Sequence, residues 1–322
     1  MRWMLLWLLI SPSVLAEKIL VIESYHQHNE WDQSYLKALK HTLTPRYELE
    51  NFEMNTKRIP ASQYSVMAEK AFAAYQQAKP DVVVLGDDNA LVYMLPKLYN
   101  EPISIVFLGI NDNPRKLIMQ YRGQAKVTGI LERPLFVKTM GEIGRMLEED
   151  KRKVLVLFDS GNTAKIALEY MKTQVSMIEN NLGITTEISS ITTDREWYEQ
   201  INTANKRGFG AIVVGLFQTL MDDAGNHVDA EKIMTWTNQN TQVPLFGFWD
   251  FSIGKGKAAG GVVLAGSDQG QMAADIVVRI LDHNEDASQI PIQIGLQGKA
   301  IYHADEMARW GLSIPKGWTA IE

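Results

Sequence analysis

The chain has 322 residues, 46% of them hydrophobic and 22% charged, which is too apolar for a disordered chain and too mixed for an integral membrane protein. Lys+Arg 32 against Asp+Glu 38 gives a net charge of −6 with no basic block, so nucleic-acid binding is not expected. The absence of cysteine excludes disulfide scaffolds, thiolate zinc sites and cysteine nucleophiles together. At roughly 150 residues per domain, the length suggests two compact units.

The opening MRWMLLWLLISPSVLA has one cation at Arg2, an apolar run from Trp3 to Ile10 and small residues before Ala16. This is the form of a secretory signal, and cleavage after Ala16 is expected. The run is far shorter than the roughly 20 residues of a membrane span; the alternative is an uncleaved anchor. Loss of Arg2, the only charged residue of residues 1–16, would take the net charge from −6 to −7. A cysteine-free exported chain suits a bacterial periplasm.

Beyond Ala16, short runs rich in Val, Ile and Leu alternate with stretches of helical period, the pattern of an α/β protein. The expected strands are KILVIES (18–24), DVVVLG (81–86), ISIVFLG (103–109), KVLVLFD (153–159), GAIVVGLF (210–217), VPLFGFW (243–249) and GVVLA (261–265). Most are apolar without alternation, so both faces should be covered, as in parallel sheets. Helices are expected at 33–43, where Leu36, Leu39 and Leu43 share a face, and at 163–180.

The turn-rich INDNPRK (110–116) separates two groups of strands and is expected to be the first link between two Rossmann-like lobes. Residues 17–114 with 268–286 would form the N-terminal lobe, and 115–267 with 287–322 the C-terminal lobe, with a ligand cleft between them. One large doubly wound sheet is the alternative.

Ligands of open α/β sheets sit beyond the carboxyl ends of the strands, so the residues that follow each strand are the candidates. They are Tyr25, Trp31 and Asp32 after the first strand, Asp87 and Asp88 after the next, and Asn111 after the third. Asp159, Ser160, Asn162 and Thr163 follow KVLVLFD, while Phe217, Trp249 and Asp250 end or follow later runs. Trp31, Phe217 and Trp249 offer rings against which a flat ligand gains contact, unless they are core. The aspartates favour an ammonium or hydroxyls, unless they serve as helix caps. The loop Asp159-Ser160-Gly161-Asn162-Thr163 opens a helix whose free N–H groups suit a carboxylate. An amino acid-like ligand would use both, so it comes ahead of sugars and nucleosides. Trp197, Trp236 and Trp310 lie in expected helices and are read as structural.

SYHQHNEWDQSYLKAL, LGINDNP, VTGILERP, the long segment from AIVVGLFQTL to QMAADIVVRIL and the closing ADEMARWGLSIP occur in this order. In these pieces the chain resembles the type I periplasmic binding proteins, specifically the substrate-binding proteins of ABC transporters. The resemblance covers nearly all of the chain beyond Ala16. It implies two lobes joined by three crossing segments, closure around a small-molecule ligand, and an ABC permease as the membrane partner. The first loop, with Tyr25-His26 and Trp31-Asp32, is also similar to periplasmic domains associated with sensor kinases, so a membrane sensor is the alternative partner. A monomer without a cofactor is expected.

His26 and His28 share one loop, but with no cysteine and no third histidine nearby they are too few for a metal centre. DDAGNHVDAE (222–231) lacks the acidic spacing of a calcium loop and is better explained as a polar turn before a helix from Asp229. No G-x-S-x-G elbow, H-E-x-x-H helix, phosphate-binding P-loop or G-x-G-x-x-G turn is present. An enzyme is not expected, although a hydrolase with paired carboxylates is open on sequence alone.

Overall fold

The computed structural model describes residues 16–44, 46–295 and 298–322; the expected signal sequence up to Leu15 lies outside them. The first part runs β1 (Lys18–Glu23), α1 (Glu30–Leu43), β2 (Glu48–Glu53), α2 (Tyr64–Ala78), β3 (Val82–Gly86), α3 (Asp87–Leu98), β4 (Ser104–Ile110), α4 (Arg115–Gln120) and β5 (Lys126–Leu131). Next come α5 (Phe136–Met146), β6 (Lys153–Asp159), α6 (Asn162–Lys172), α7 (Val175–Leu182), β7 (Thr185–Ile191), α8 (Asp194–Thr203), β8 (Ala211–Val214), α9 (Ala230–Asn240), β9 (Leu245–Gly247) and β10 (Gly260–Val263). The chain closes with α10 (Gly266–His283), β11 (Gln293–Ile294), β12 (Lys299–His303), α11 (Ala304–Arg309) and β13 (Thr319–Ile321).

The strands form two sheets, a six-stranded one ordered β11-β5-β4-β3-β1-β2 and a seven-stranded one ordered β13-β12-β10-β9-β8-β6-β7. Pairing is parallel throughout except between β10 and β12. Val82, Val83, Val84 and Leu85 of β3 are wholly buried, as are Ala211 to Val214 of β8, because helices cover both faces of these central strands. The protein is therefore a two-lobed α/β structure, as its pattern of apolar runs implies.

The expected lobe boundary is corrected in two places. β5 pairs with β4, and β11 pairs with β5, so 126–131 and 293–294 belong to the first sheet. The turn at 110–114 does not cross between lobes because it is tied back to the first one. The Asp88 carboxylate accepts from the backbone N–H of Asn111 (3.1 Å) and Asp112 (3.0 Å), and Arg133 donates to the carbonyls of Ile110 (2.9 Å) and Asn111 (2.7 Å). The chain changes sheets after β5, after β10 and between β11 and β12. The expected helix at 163–180 is two helices, α6 and α7, parted at Thr173 and Gln174.

Helix α10 packs on α1 and on strands β4 and β5. Gly266 and Gly270 make this approach close: a Cβ at Gly266 would stand 2.7 Å from the Trp31 carbonyl oxygen, and one at Gly270 2.3 Å from that of Tyr35. The contact fixes α1, and with it Trp31 and Asp32, against the carboxyl edge of the first sheet.

Candidate ligand site between the two lobes

The two sheets bring their carboxyl ends together. From the first come Tyr25 after β1, Lys57 after β2, Asp87 after β3 and Glu132 after β5; from the second come Asp159 to Thr163 after β6, Leu216 and Phe217 after β8, and Trp249 and Phe251 after β9. At the centre, the Tyr25 hydroxyl donates to Asp87 Oδ1 (2.7 Å) and lies 3.0 Å from Thr163 Oγ1 of the other lobe. The Trp249 indole N–H donates to Glu132, and Asn111 Nδ2 reaches the same carboxylate at 3.4 Å.

Asp87 has φ 72°, a left-handed backbone that is unfavourable for a residue with a Cβ. It opens α3 from a buried position with Oδ2 unpartnered among the described residues. Both oxygens of Asp32 are likewise unpartnered at 0% exposure. Burial and then the charge of Asp88 raise the Asp87 carboxyl to about 7. Burial followed by Asp87 also raises Asp32 and Glu132 well above the usual range. Lys57 Nζ sits 3.9 Å from the centre of the Tyr25 ring. Burial lowers its pKa, against the fields of Asp87, Asp159, Asp32 and Glu132.

Three spaces follow the seam. A central one of only about 10 Å³ is lined by Tyr25, Trp31, Lys57, Asp87, Glu132, Thr163, Leu216, Trp249 and Phe251. On one side is a polar cavity of about 190 Å³ bordered by Tyr25, Tyr64, Asn89, Ser160, Asn162, Thr163 and Thr219. On the other is a cavity of about 220 Å³ with Trp31, Phe217, Met234 and Phe251 as apolar walls and His26, His28, Arg58, His227 and Lys257 among its polar lining.

The expected residues thus divide. Tyr25, Trp31, Asp87, Thr163 and Trp249 meet at the centre; Asp159, Ser160 and Asn162 face the polar cavity, and Phe217 the mixed one that holds the three histidines. Asp159 is also held in place, accepting from Gly161 N (3.0 Å) and Thr219 N (2.9 Å). Asp32 is buried behind the centre. Asp88 and Asn111 brace the turn after β4. Asp250 accepts from Phe251 N (2.9 Å), with burial raising its pKa to about 6, and borders none of the three spaces.

Lys57, Glu132 and Phe251 are not among the residues expected from sequence. The first two follow β2 and β5, strands without the continuous apolar run that marks the others; the rule that selected Asp87 selects them once those strands are known. His227 meets His26 and His28 only through the fold. Among the described residues no group of three or more His, Asp or Glu side chains is arranged to hold a metal ion.

No family model matches the sequence, and no curated protein matches it. Solved structures do match in fold. The ABC domain from Streptococcus pneumonia in complex with L-Trp has 15% identity and a TM-score of 0.68, over 95% of this chain and 100% of that one. The ligand-free, open structure of a substrate-binding protein with adhesive properties from Clostridium difficile has 14% identity and a TM-score of 0.63, over 95% and 99%. A glucose-galactose binding protein from Geobacillus stearothermophilus has 16% identity and a TM-score of 0.59, over 89% and 98%. The chain shares the two-lobed fold of these structures, which transcription regulators from Corynebacterium glutamicum and Lactococcus lactis also have.

Proposed function

We propose that this is an exported solute-binding protein that closes around a small ligand carrying a cationic nitrogen, amino acid-like in its polar part, and hands it to an ABC importer. The observation that carries this reading is Asp87, a buried carboxylate with a strained backbone at the centre of the seam, whose Oδ2 has the Trp31 indole beside it but makes no hydrogen bond of full geometry. An ammonium placed there gains charge-assisted hydrogen bonds in a water-poor space. The first turn of α6, at Asn162 and Thr163, offers backbone N–H groups for a carboxylate on one side. Trp31, Phe217, Met234 and Phe251 offer an apolar slot on the other. A zwitterion with an apolar or aromatic side chain matches all three.

The neighbours in fold bind unlike ligands, an amino acid in one and sugars in another by their descriptions, so the reading rests on this chain's own side chains. Among the described residues no helix is long and apolar enough to cross a membrane. Export through the signal sequence, cleavage after Ala16 and a monomeric state complete the proposal.

Native mass spectrometry of the purified mature protein tests it, since closed clefts retain their solutes. A retained species with a basic nitrogen is expected; a retained neutral sugar would overturn the amine reading. The loop from Tyr25 to Asp32 keeps a second reading in view, a receptor docking on a membrane sensor, and the neighbouring genes, permease and ATPase or sensor, discriminate the two.

A further inference from the structure

Lys57 borders all three spaces of the seam, the one residue to do so among the described residues. Its place is built into the backbone. Met54 N donates to the Glu23 carbonyl (2.9 Å), Asn55 N to that of Tyr25 (2.7 Å), and Thr56 N to that of Ser24 (2.9 Å), pinning the segment before Lys57 along the turn that carries Tyr25. From there the side chain reaches inward and sets its ammonium over the Tyr25 ring, the position in which an aromatic face attracts a cation. The carboxylates whose fields act on it come from α1 (Asp32), the starts of α3 (Asp87) and of the crossing after β5 (Glu132), and the end of β6 in the other lobe (Asp159). Asp32, Asp87 and Glu132 are buried and outnumber this single cation. The central space of about 10 Å³ has no room for a ligand group while the lysine fills it.

We propose that Lys57 is a tethered stand-in for the ligand's cation: its ammonium occupies the place over Tyr25 and in the field of Asp87 and Glu132 that a ligand nitrogen takes, so that binding exchanges one ammonium for another and joins the three spaces into one chamber. This deepens the amine reading, on which it rests for the identity of the incoming group. It makes Lys57 a specificity-determining residue. A neutral solute that evicts the lysine removes the cation that favours the ionised form of these buried carboxyls, which then take up protons, whereas an amine replaces what it removes. The exchange also weakens every ligand by the cost of displacing the lysine.

The test needs no natural ligand. Lys57→Ala keeps Cβ and leaves a space the size of the side chain beyond it, which n-propylammonium reproduces. Melting and solution scattering of the variant, titrated with n-propylammonium, n-propanol or potassium chloride, should show a lowered melting temperature and a larger radius of gyration. Only n-propylammonium should restore both saturably, with at least about tenfold tighter apparent affinity than for wild type. Rescue by propanol as effective as by the amine would reduce Lys57 to a space filler and overturn the proposal, as would no saturable rescue at all. Lys57→Met, which keeps an unbranched stem of nearly the same length without the charge, guards against a misfolded alanine variant: it should expand like Lys57→Ala but not respond to the amine, and a methionine variant as compact as wild type would also overturn it. A neutral ligand in native mass spectrometry would end the amine reading and leave this exchange measurable; a failed rescue would leave that reading standing.

Discussion

The hydroxyls of Tyr25 and Thr163 lie 3.0 Å apart across the seam, joining the turn after β1 to the first turn of α6. Tyr25→Phe removes this bridge and the hydrogen bond to Asp87 while keeping the ring. The variant should keep its circular dichroism, lose about 1–2 kcal/mol of stability and show a larger radius of gyration without ligand. An unchanged radius would mean that other contacts hold the lobes together.

On the amine reading, Asp87 should govern the pH dependence of binding. With its carboxyl raised to about 7, it is protonated in much of the ligand-free protein below that pH, and an ammonium binds the ionised form. Amine affinity should therefore rise with pH and level off above about 7, with a proton released on binding. Titration calorimetry in buffers of different ionisation enthalpy measures that proton. Asp87→Asn should abolish the release and weaken an amine by about 2 kcal/mol while leaving a neutral analogue little changed.

Trp249 is 1% exposed, stacks on Phe251 at 6.2 Å and meets Phe158 and Phe248 edge-on. Trp249→Ala should cost about 3–5 kcal/mol of stability in chemical denaturation without ligand, besides leaving Glu132 with Asn111 as its remaining donor. Trp31 is buried too, at 4% exposure, but borders the cavity that holds Phe217 and Phe251, and Trp31→Phe, which keeps a ring in the core, should weaken an aromatic ligand more than it lowers the melting temperature.

Glu23 is buried at the end of β1 with Asn51 donating to one oxygen at 2.7 Å and the other unpartnered. Burial, opposed by the Asn51 hydrogen bond, raises its carboxyl from 4.5 to about 7. A raised acid is held protonated by the fold, so its stabilisation is complete below pH 4.5 and is lost as pH rises through about 7. His26 has the opposite slope: burial and the nearby cations lower it from 6.5 to about 4, and stability is lost as pH falls through that range. Glu23→Gln should flatten the alkaline decline, gaining about 1–3 kcal/mol near pH 8, and leave the acid decline unchanged. Urea melts across pH measure both slopes.

The central strands and most of the centre of the site were legible in the sequence. Val82 to Leu85 and Ala211 to Val214 are apolar on both faces because they are covered on both, and the rule of strand ends then finds Tyr25, Asp87, Thr163 and Trp249. β2 (ELENFE) is an edge strand with much of its surface in solvent, so its sequence gives no apolar run, and Lys57 goes unnoticed with it. Residues 126–131 fall in the expected C-terminal lobe because Asn-Asp-Asn-Pro reads as a linker until the bonds of Asp88 and Arg133 show it folded back. That Asp88 braces a turn while Asp87, its neighbour, faces the seam depends on one left-handed backbone angle, which no residue pattern announces.

The packing of α10 on α1 also sets the order in which the chain can assemble. Thr42 hydrogen-bonds Gln271, 229 residues away, and Tyr47 hydrogen-bonds Asp282, 235 residues away. The lobe whose strands leave the ribosome first is therefore the one completed late: the part of one sheet face over β4 and β5 stays uncovered until residue 283 has been made, and its outer strand arrives only at 293–294. Contacts of such sequence separation form slowly, because a long loop must close before they contribute anything. A nascent chain built this way stays open, with apolar strands exposed, through most of its synthesis. That is a hazard for a protein that must fold where it is made, and an advantage for one that must first be threaded through a membrane.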